Sequence, residues 1–81
     1  MQILELINSG SQILKKNNIN SYRLDSEILL AKILKKRREE LLIDLEKNVT
    51  PQIIGNYNKL IARRSTKEPI AYILKEKEFW S

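Results

Sequence analysis

The chain has 81 residues, of which 42% are hydrophobic and 31% charged, and its formal net charge is +5. These values are typical of one small folded domain with a single core, and they exclude a disordered tail, which would be less hydrophobic. The chain contains no cysteine and no histidine, which excludes disulfides, cysteine nucleophiles and the commonest general base and metal ligand.

The first two helices are predicted from apolar residues at three- and four-residue steps, over about residues 2–17 and 22–35. Asn20 or Ser21 can cap the second helix by accepting a bond from a first-turn amide. Gly10 lies in the apolar stripe of the first helix, where glycine costs about 1 kcal/mol against alanine. Either that helix is locally weak or another backbone packs closely on Gly10, and we favour close packing. The residues expected to face the core are Ile3, Leu6, Ile7, Ile13 and Leu14 in the first helix and Leu24, Ile28, Leu30, Ala31, Ile33 and Leu34 in the second.

Three further helices are predicted in the second half of the chain. Short helices over about residues 38–45 and 69–75 flank a longer one that Thr50 and Pro51 open, as a hydroxyl cap followed by proline at the first helical position. The longer helix runs to about Arg64. The expected core residues here are Leu41, Leu42, Leu45, Ile53, Ile54, Tyr57, Leu60 and Ile61. Five short helices joined by short loops predict a compact all-α bundle.

The sequence also bounds the cellular setting and the cofactors. Its longest apolar run, residues 70–74, has five residues, whereas a membrane span needs about 20. No basic and then apolar signal segment opens the chain, so we expect a cytoplasmic protein with no membrane partner. Gly10 and Gly55 stand far apart, so no glycine-rich cofactor loop can be written and no cofactor is expected in this chain.

The first candidate binding site is a basic run formed by Lys35, Lys36, Arg37 and Arg38. Lysine and arginine attract phosphate in a salt-sensitive way, which makes the run a candidate phosphate contact for nucleic acid. The alternative is a solvated connector that also neutralises the end of the second helix. We favour the connector, because Glu39 and Glu40 follow immediately and no aromatic residue is interleaved.

The second candidate is a set of charged residues on the second helix and near the end of the fourth: Arg23, Asp25, Glu27, Arg63, Arg64 and Glu68. Carboxylate pairs can act as general acid and base, but that chemistry needs a cleft and a shifted pKa. Asp25 and Glu27 are two residues apart, so a helix points them in different directions. We therefore favour an interhelical ion-pair network that sets how helices two, four and five meet.

The larger aromatic residues are candidates for stacking on nucleic-acid bases, and they are Tyr22, Tyr57, Tyr72 and Trp80. They are scattered over four segments, and Tyr57 and Tyr72 fit core positions at helical spacing. Phe79 and Trp80 differ, because a small domain seldom places two large aromatics on a fraying terminus unless they contact something.

Two stretches carry a resemblance to a known family. The stretch SYRLDSEILLAKIL, residues 21–34, is similar to the Arg-Leu-Asp-x-Glu-(Leu/Ile)-Leu-Leu-Ala pattern of the release factor glutamine methyltransferases, the HemK or PrmC type. The stretch LIARRSTKEPIAYILKEKEFW, residues 60–80, resembles their signature Ala-Arg-Arg-x-x-x-Glu-Pro-x-Ala-Tyr-Ile-x-Gly-x-x-Glu-Phe. The matched positions, none of which is expected to be catalytic, are Arg23, Asp25, Glu27, Arg63, Arg64, Glu68, Pro69, Tyr72, Glu78 and Phe79.

The resemblance covers the whole chain as that family's N-terminal five-helix domain. In the family a β-hairpin follows, and then a catalytic domain that binds S-adenosylmethionine and methylates the glutamine of the Gly-Gly-Gln motif of class I peptide release factors. The catalytic motif, Asn-Pro-Pro-Tyr, does not occur here, since no asparagine precedes a proline.

The resemblance therefore implies that residues 1–75 form a substrate-recognition domain, inactive by itself, whose partners are the release factor and its own catalytic domain. Residues 76–81 would start the linker, with Glu78, Phe79 and Trp80 in the first strand of the hairpin. Two alternatives stay open. One is a basic helical module that binds tRNA or rRNA, in a fusion with the tRNA methyltransferase domain that some members carry. The other is a purely structural cap for the catalytic domain.

Two positions depart from the family pattern. Where the family tends to have glycine after the second helix and after Tyr-Ile-Leu, this chain has Lys35 and Lys75. Glycine there would adopt the left-handed conformation, and lysine in that conformation costs of order 1 kcal/mol. The ends of these two helices stay open at this point.

Overall fold

The computed structural model describes residues 1–75, and the predicted all-α bundle is confirmed in them. The five helices begin and end within about two residues of the predicted bounds: α1 (Ile3–Lys16), α2 (Tyr22–Leu34), α3 (Arg38–Ile43), α4 (Pro51–Ser65) and α5 (Ile70–Leu74). Within these residues no helix has both the length and the apolar character that crossing a bilayer requires. The predicted hairpin start at Glu78, Phe79 and Trp80 lies outside the described residues.

The two predicted helix starts differ in their chemistry. Thr50 Oγ1 accepts a bond from the Ile53 amide at 3.2 Å, with Pro51 at the first helical position, so this prediction is confirmed. Ser21 does precede α2, but its hydroxyl accepts no bond from a first-turn amide. It donates instead to Asp25 Oδ2 at 2.9 Å, because a carboxylate is the stronger acceptor for a serine hydroxyl. The expected amide cap at this helix is therefore wrong.

The end of α2 is a left-handed turn built on lysine. Lys35 has φ 57° and ψ 41°, and the amides of Lys35 and Lys36 donate to the carbonyls of Lys32 and Ala31 at 3.1 and 3.0 Å. These are the two bonds of the Schellman motif, in which glycine is the usual left-handed residue. Lys75 after α5 has φ −84° and ψ −9°, so left-handed strain arises at the first of the two family glycine positions and not at the second.

The core forms around α2, which packs against α1, α3, α4 and α5. A helix surrounded on several sides buries most of its circumference, and α2 accordingly buries polar as well as apolar residues. The buried apolar residues of the described chain are Ile3, Leu6, Ile7, Leu14, Ile19, Leu29, Leu30, Ala31, Ile33, Leu41, Tyr57, Leu60, Ile61 and Ile73.

Four residues expected in the core are exposed instead: Ile13, Leu24, Leu42 and Tyr72. Leu24 lies roughly 140° around the α2 axis from Leu29, at 100° per residue, and Leu29 is fully buried. Leu42 is similarly rotated by roughly 100° from the buried Leu41 in a helix too short to present both to the core. Apolar character alone did not identify which neighbour faces inward.

The exposure of Ile13 and Tyr72 follows from the same geometry. Ile13 is at the margin of the α1 stripe in its last turn, and its side chain is 40% exposed. In α5 the inward face is formed by Ile70, Ile73 and Leu74, at the spacing of one helix face. Tyr72 therefore points outward and is 63% exposed.

Gly10 is closely packed, but the expectation that another backbone approaches it is wrong, because the neighbouring atoms belong to the side chains of Tyr57 and Ile61. A Cβ on Gly10 would lie 2.2 Å from Tyr57 Oη and 2.9 Å from Ile61 Cδ1, closer than van der Waals contact allows. The absence of a side chain at Gly10 therefore lets the Tyr57 ring of α4 pack against α1.

Helices α1 and α4 run in the same general direction, which defines two ends of the bundle. The Val49 amide donates to the Met1 carbonyl at 3.0 Å, so α4 begins beside the start of α1, and the two helices meet again at Gly10 and Tyr57. One end consequently holds the N-termini of α1 and α4 together with the α3–α4 connection. The other end holds their C-termini and the start of α5.

Candidate functional site

Asp25 and Arg64 form an ion pair between α2 and α4. Arg64 Nε donates to Asp25 Oδ2 at 2.8 Å, and the side chains are only 5% and 17% exposed. Arg64 Nη1 also donates to the Glu68 carbonyl at 2.9 Å, while the Ser21 hydroxyl donates to the same Asp25 oxygen. Asp25 and Arg64 together thus join the start of α2, the end of α4 and the segment that leads into α5.

Glu27 forms a second centre that joins different helices. Its two oxygens accept from Arg23 Nε at 3.0 Å and from Arg38 Nε at 2.7 Å, and Arg23 Nη1 donates to Asn8 Oδ1 at 2.8 Å. Burial raises the pKa of the Glu27 carboxyl, but the bonds from Arg38 and Arg23 outweigh it and leave the pKa below 4.5. This centre links α1, α2 and α3.

The third pair, Arg63 and Glu68, lies between the end of α4 and the start of α5. Arg63 Nε donates to Glu68 Oε1 at 3.0 Å, and Arg63 Nη2 contacts the other oxygen, which makes a two-point contact. The hydrogen bond from Arg63 lowers the pKa of the Glu68 carboxyl. Pro69 then precedes α5 in an extended conformation, φ −60° and ψ 137°.

The structure thus divides the six charged candidates into two groups. Asp25, Arg63, Arg64 and Glu68 belong to the meeting of α2, α4 and α5, whereas Arg23 and Glu27 face α1 and α3 and take Arg38 as an additional partner. The pKa values of the Glu27 and Glu68 carboxyls are lowered by their arginine partners, which makes these two groups poor proton donors at neutral pH. The arrangement is therefore suited to holding helices together, and the role of these residues stays a prediction.

The basic run is partly consumed by ion pairs within the domain. Lys36 Nζ pairs with Asp44 at 3.3 Å, Arg37 Nε with Glu40 at 3.8 Å and Arg38 with Glu27, while Lys35 is exposed in its left-handed turn. Three of the four candidate phosphate contacts thus have carboxylate partners, which reduces the attraction the run can offer to a polyanion.

No metal-binding group of histidine, cysteine, aspartate or glutamate occurs within residues 1–75.

Tyr57 is fully buried, and its hydroxyl donates to the Ser26 carbonyl at 3.3 Å. Burial raises the pKa of the Tyr57 hydroxyl far above its usual value of 10.0. Because the Tyr57 ring is buried, a nucleic-acid base cannot stack on it, and Tyr57 is a residue of the core.

Comparison with known proteins identifies the lineage of these helices. Residues 5–74 match the family model described as the PrmC N-terminal domain. This chain belongs to that family. The resemblance predicted from its two motifs is thereby confirmed.

Relatives of this PrmC N-terminal domain are much longer proteins. The release factor glutamine methyltransferase of Aliivibrio fischeri is 40% identical over 81 residues, 100% of this chain and 28% of the relative. The enzyme of the same name from Leptospira interrogans is 38% identical over 79 residues, 98% of this chain and 28% of the relative. A bifunctional methyltransferase of Rickettsia felis is 39% identical over 79 residues, 98% of this chain and 15% of the relative. The chain thus spans less than a third of these curated relatives, and no solved structure matches it significantly.

One surface of this PrmC N-terminal domain was missed by sequence reasoning. An open groove of about 490 Å³ is lined by Leu42–Lys47, and Ile43 in this lining is 82% exposed. We call this surface the α3 groove. The signal in the sequence was the apolar triplet Leu41, Leu42 and Ile43. A six-residue helix buries little more than one face, so it cannot bury three consecutive apolar residues.

Proposed function

We propose that this chain is the substrate-recognition domain of a release factor glutamine methyltransferase. In this proposal residues 1–75 bind a class I peptide release factor, and residues 76–81 begin the linker to a catalytic domain. That domain would transfer a methyl group from S-adenosylmethionine to the glutamine of the Gly-Gly-Gln motif. The observation that supports the proposal is the match of residues 5–74 to the PrmC N-terminal domain, together with relatives named for this activity.

S-adenosylmethionine does not fit the described residues. A nucleotide-type cofactor is held where glycines let a loop backbone approach it closely. Here Gly10 is packed against Tyr57 and Ile61 inside the bundle, and Gly55 lies within α4, in its second turn. We therefore assign the cofactor and the methyl transfer to polypeptide outside residues 1–75, and assign binding to the helices.

A rigid helical domain contributes to such a reaction by positioning. A short glutamine-bearing loop offers little area for binding, and a second contact surface raises the affinity and limits the orientations of the substrate before reaction. The ion pairs at Asp25 and Glu27 cross between helices, so they suit a surface whose shape must be kept during binding.

The proposal is tested by a chemical-shift titration of the 81-residue chain with a class I release factor. We expect saturable shifts confined to one face of the bundle. Spectra that stay unchanged at high release factor concentration would contradict the proposal. Shifts produced by RNA instead, with an affinity that falls steeply with salt, would favour the nucleic-acid alternative.

A further inference from the structure

The α3 groove presents apolar side chains to solvent next to a residue that holds α3 on the core. The Leu41 side chain is fully buried and fixes α3 on the core, whereas Leu42 is 38% and Ile43 82% exposed. Ile43 is the last residue of α3, and the groove continues from it into the α3–α4 connection. Isoleucine is among the residues most often found inside proteins, and apolar residues gathered at a groove with a charged rim are typical of protein-binding surfaces.

The charges around the groove favour a protein over a polyanion. Residues 35–47 carry five cations and four anions, and Asp44 at the groove pairs with both Lys36 at 3.3 Å and Lys47 at 3.5 Å. A phosphate backbone would be repelled by interleaved carboxylates, since its affinity depends on excess cations. A protein surface that offers an apolar side chain within charges of both signs is complementary to this rim.

The position of the groove argues against the polypeptide that follows α5 as its occupant. The groove lies at the end of the bundle that holds the N-termini of α1 and α4, since the Ile3 and Leu4 amides donate to the carbonyls of Lys47 and Leu45. Helix α5 begins at the opposite end, where Arg64 donates to the Glu68 carbonyl, and it is only five residues long. The described chain therefore ends on the helix that begins away from the α3 groove.

We propose that the α3 groove is the face of this domain that contacts the release factor, with Ile43 as the apolar anchor and the Lys36, Asp44 and Lys47 ion pairs as its rim. This inference rests on the proposed function and names its binding face. The occupant is a protein surface with an apolar side chain that enters beside Ile43. The α5 end, including the exposed Tyr72, lies outside the contact.

The test compares Ile43→Lys with a matched control, Tyr72→Lys. Both positions are exposed, and both substitutions add the same charge, so a general electrostatic effect on the release factor would appear in both. Lysine at the last position of α3 also suits the helix dipole, so the variant should fold. We expect Ile43→Lys to weaken binding of a class I release factor by about tenfold or more, as loss of an anchor does, and Tyr72→Lys to change it less than about twofold.

The outcomes separate this inference from the proposed function. If the wild-type chain binds the release factor and Tyr72→Lys abolishes binding while Ile43→Lys does not, the groove assignment is overturned and the proposed function stands. If the wild-type chain does not bind at all, both fail. Sedimentation of the wild-type chain alone gives a further check: self-association that Ile43→Lys dissolves would show a second copy in the groove and overturn the inference. Circular dichroism confirms that each variant is folded.

Discussion

Arg64 donates from Nε to Oδ2 of Asp25 across 2.8 Å, and this bond connects α4 to α2 over 39 residues of sequence. Both side chains are largely buried, so each charge depends on the other for compensation. The same guanidinium continues to the Glu68 carbonyl and thereby fixes the segment before α5. These two residues hold the end of the bundle from which the fifth helix begins.

Replacing Arg64 by Met should be strongly destabilising, because it leaves the buried Asp25 carboxylate without its partner. We expect the free energy of unfolding to fall by about 2–3 kcal/mol, a large share of the stability of a domain this small. Urea unfolding followed by circular dichroism measures the change. Arg37→Met is the control, since Arg37 and Glu40 are 80% and 49% exposed at 3.8 Å, and it should cost less than about 0.5 kcal/mol. Equal losses in the two variants would show that burial of the pair is unimportant.

The pairing of Glu27 should make the domain sensitive to acid. Because the pKa of Glu27 in the folded state lies below its usual value of 4.5, its ion pairs stabilise the fold above about that pH. The contribution is lost as pH falls through the lowered folded-state pKa. Glu27→Gln should therefore be less stable than the wild type at pH 7, and the difference should shrink toward pH 3.

Urea unfolding of both proteins at the two pH values measures this difference. Glu46→Gln, a change at an exposed carboxylate, provides the control and should follow the wild type at each pH. A difference between wild type and Glu27→Gln that is the same at pH 7 and pH 3 would contradict the assigned ionisation.

The two glycines should respond in opposite directions to alanine. Gly10→Ala places a methyl group against Tyr57 Oη and Ile61 Cδ1, and we expect a loss of about 1–3 kcal/mol from overpacking despite the better helix propensity. A methyl group at Gly55, in the second turn of α4, meets nothing within 4 Å, so Gly55→Ala should gain about 1 kcal/mol. Thermal unfolding of the two variants measures both effects. A gain in stability at Gly10 would mean that Tyr57 moves aside without cost.

Lys35 should be replaceable by glycine with a gain in stability. Its φ of 57° is unfavourable for a residue with a Cβ, whereas glycine adopts this angle without that penalty. Lys35→Gly should therefore gain about 1 kcal/mol. Lys75→Gly is the control, since Lys75 has φ −84° and gains nothing from glycine. A rise in the melting temperature for both variants, or for neither, would contradict the left-handed end of α2.

Much of the fold could be predicted because its signals are local. Apolar periodicity located the helices, Thr50 and Pro51 marked the start of α4, and Gly10 in an apolar stripe indicated close packing. What sequence could not supply was the rotation of each helix about its axis. Leu24 and Tyr72 are apolar or aromatic residues on outward faces, and only the packing of neighbouring helices decides which face is inward.

The candidate site shows the same division between local and distant information. The spacing of Asp25 and Glu27 alone predicted that they point in different directions, since residues two apart on a helix diverge. The bond from Arg38 to Glu27 joins residues 11 apart through a turn, and no periodic rule relates them. The α3 groove depends on how the α3–α4 connection lies beside Ile3 and Leu4, which is likewise a tertiary contact.

The most direct measurement of the central claim is calorimetric titration of the 81-residue chain with a class I release factor at several temperatures. We predict saturable one-to-one binding with a negative heat-capacity change, because apolar surface at the α3 groove is buried on association. Absence of binding at release factor concentrations far above those at which intact methyltransferases act would contradict the assignment of this domain to substrate recognition.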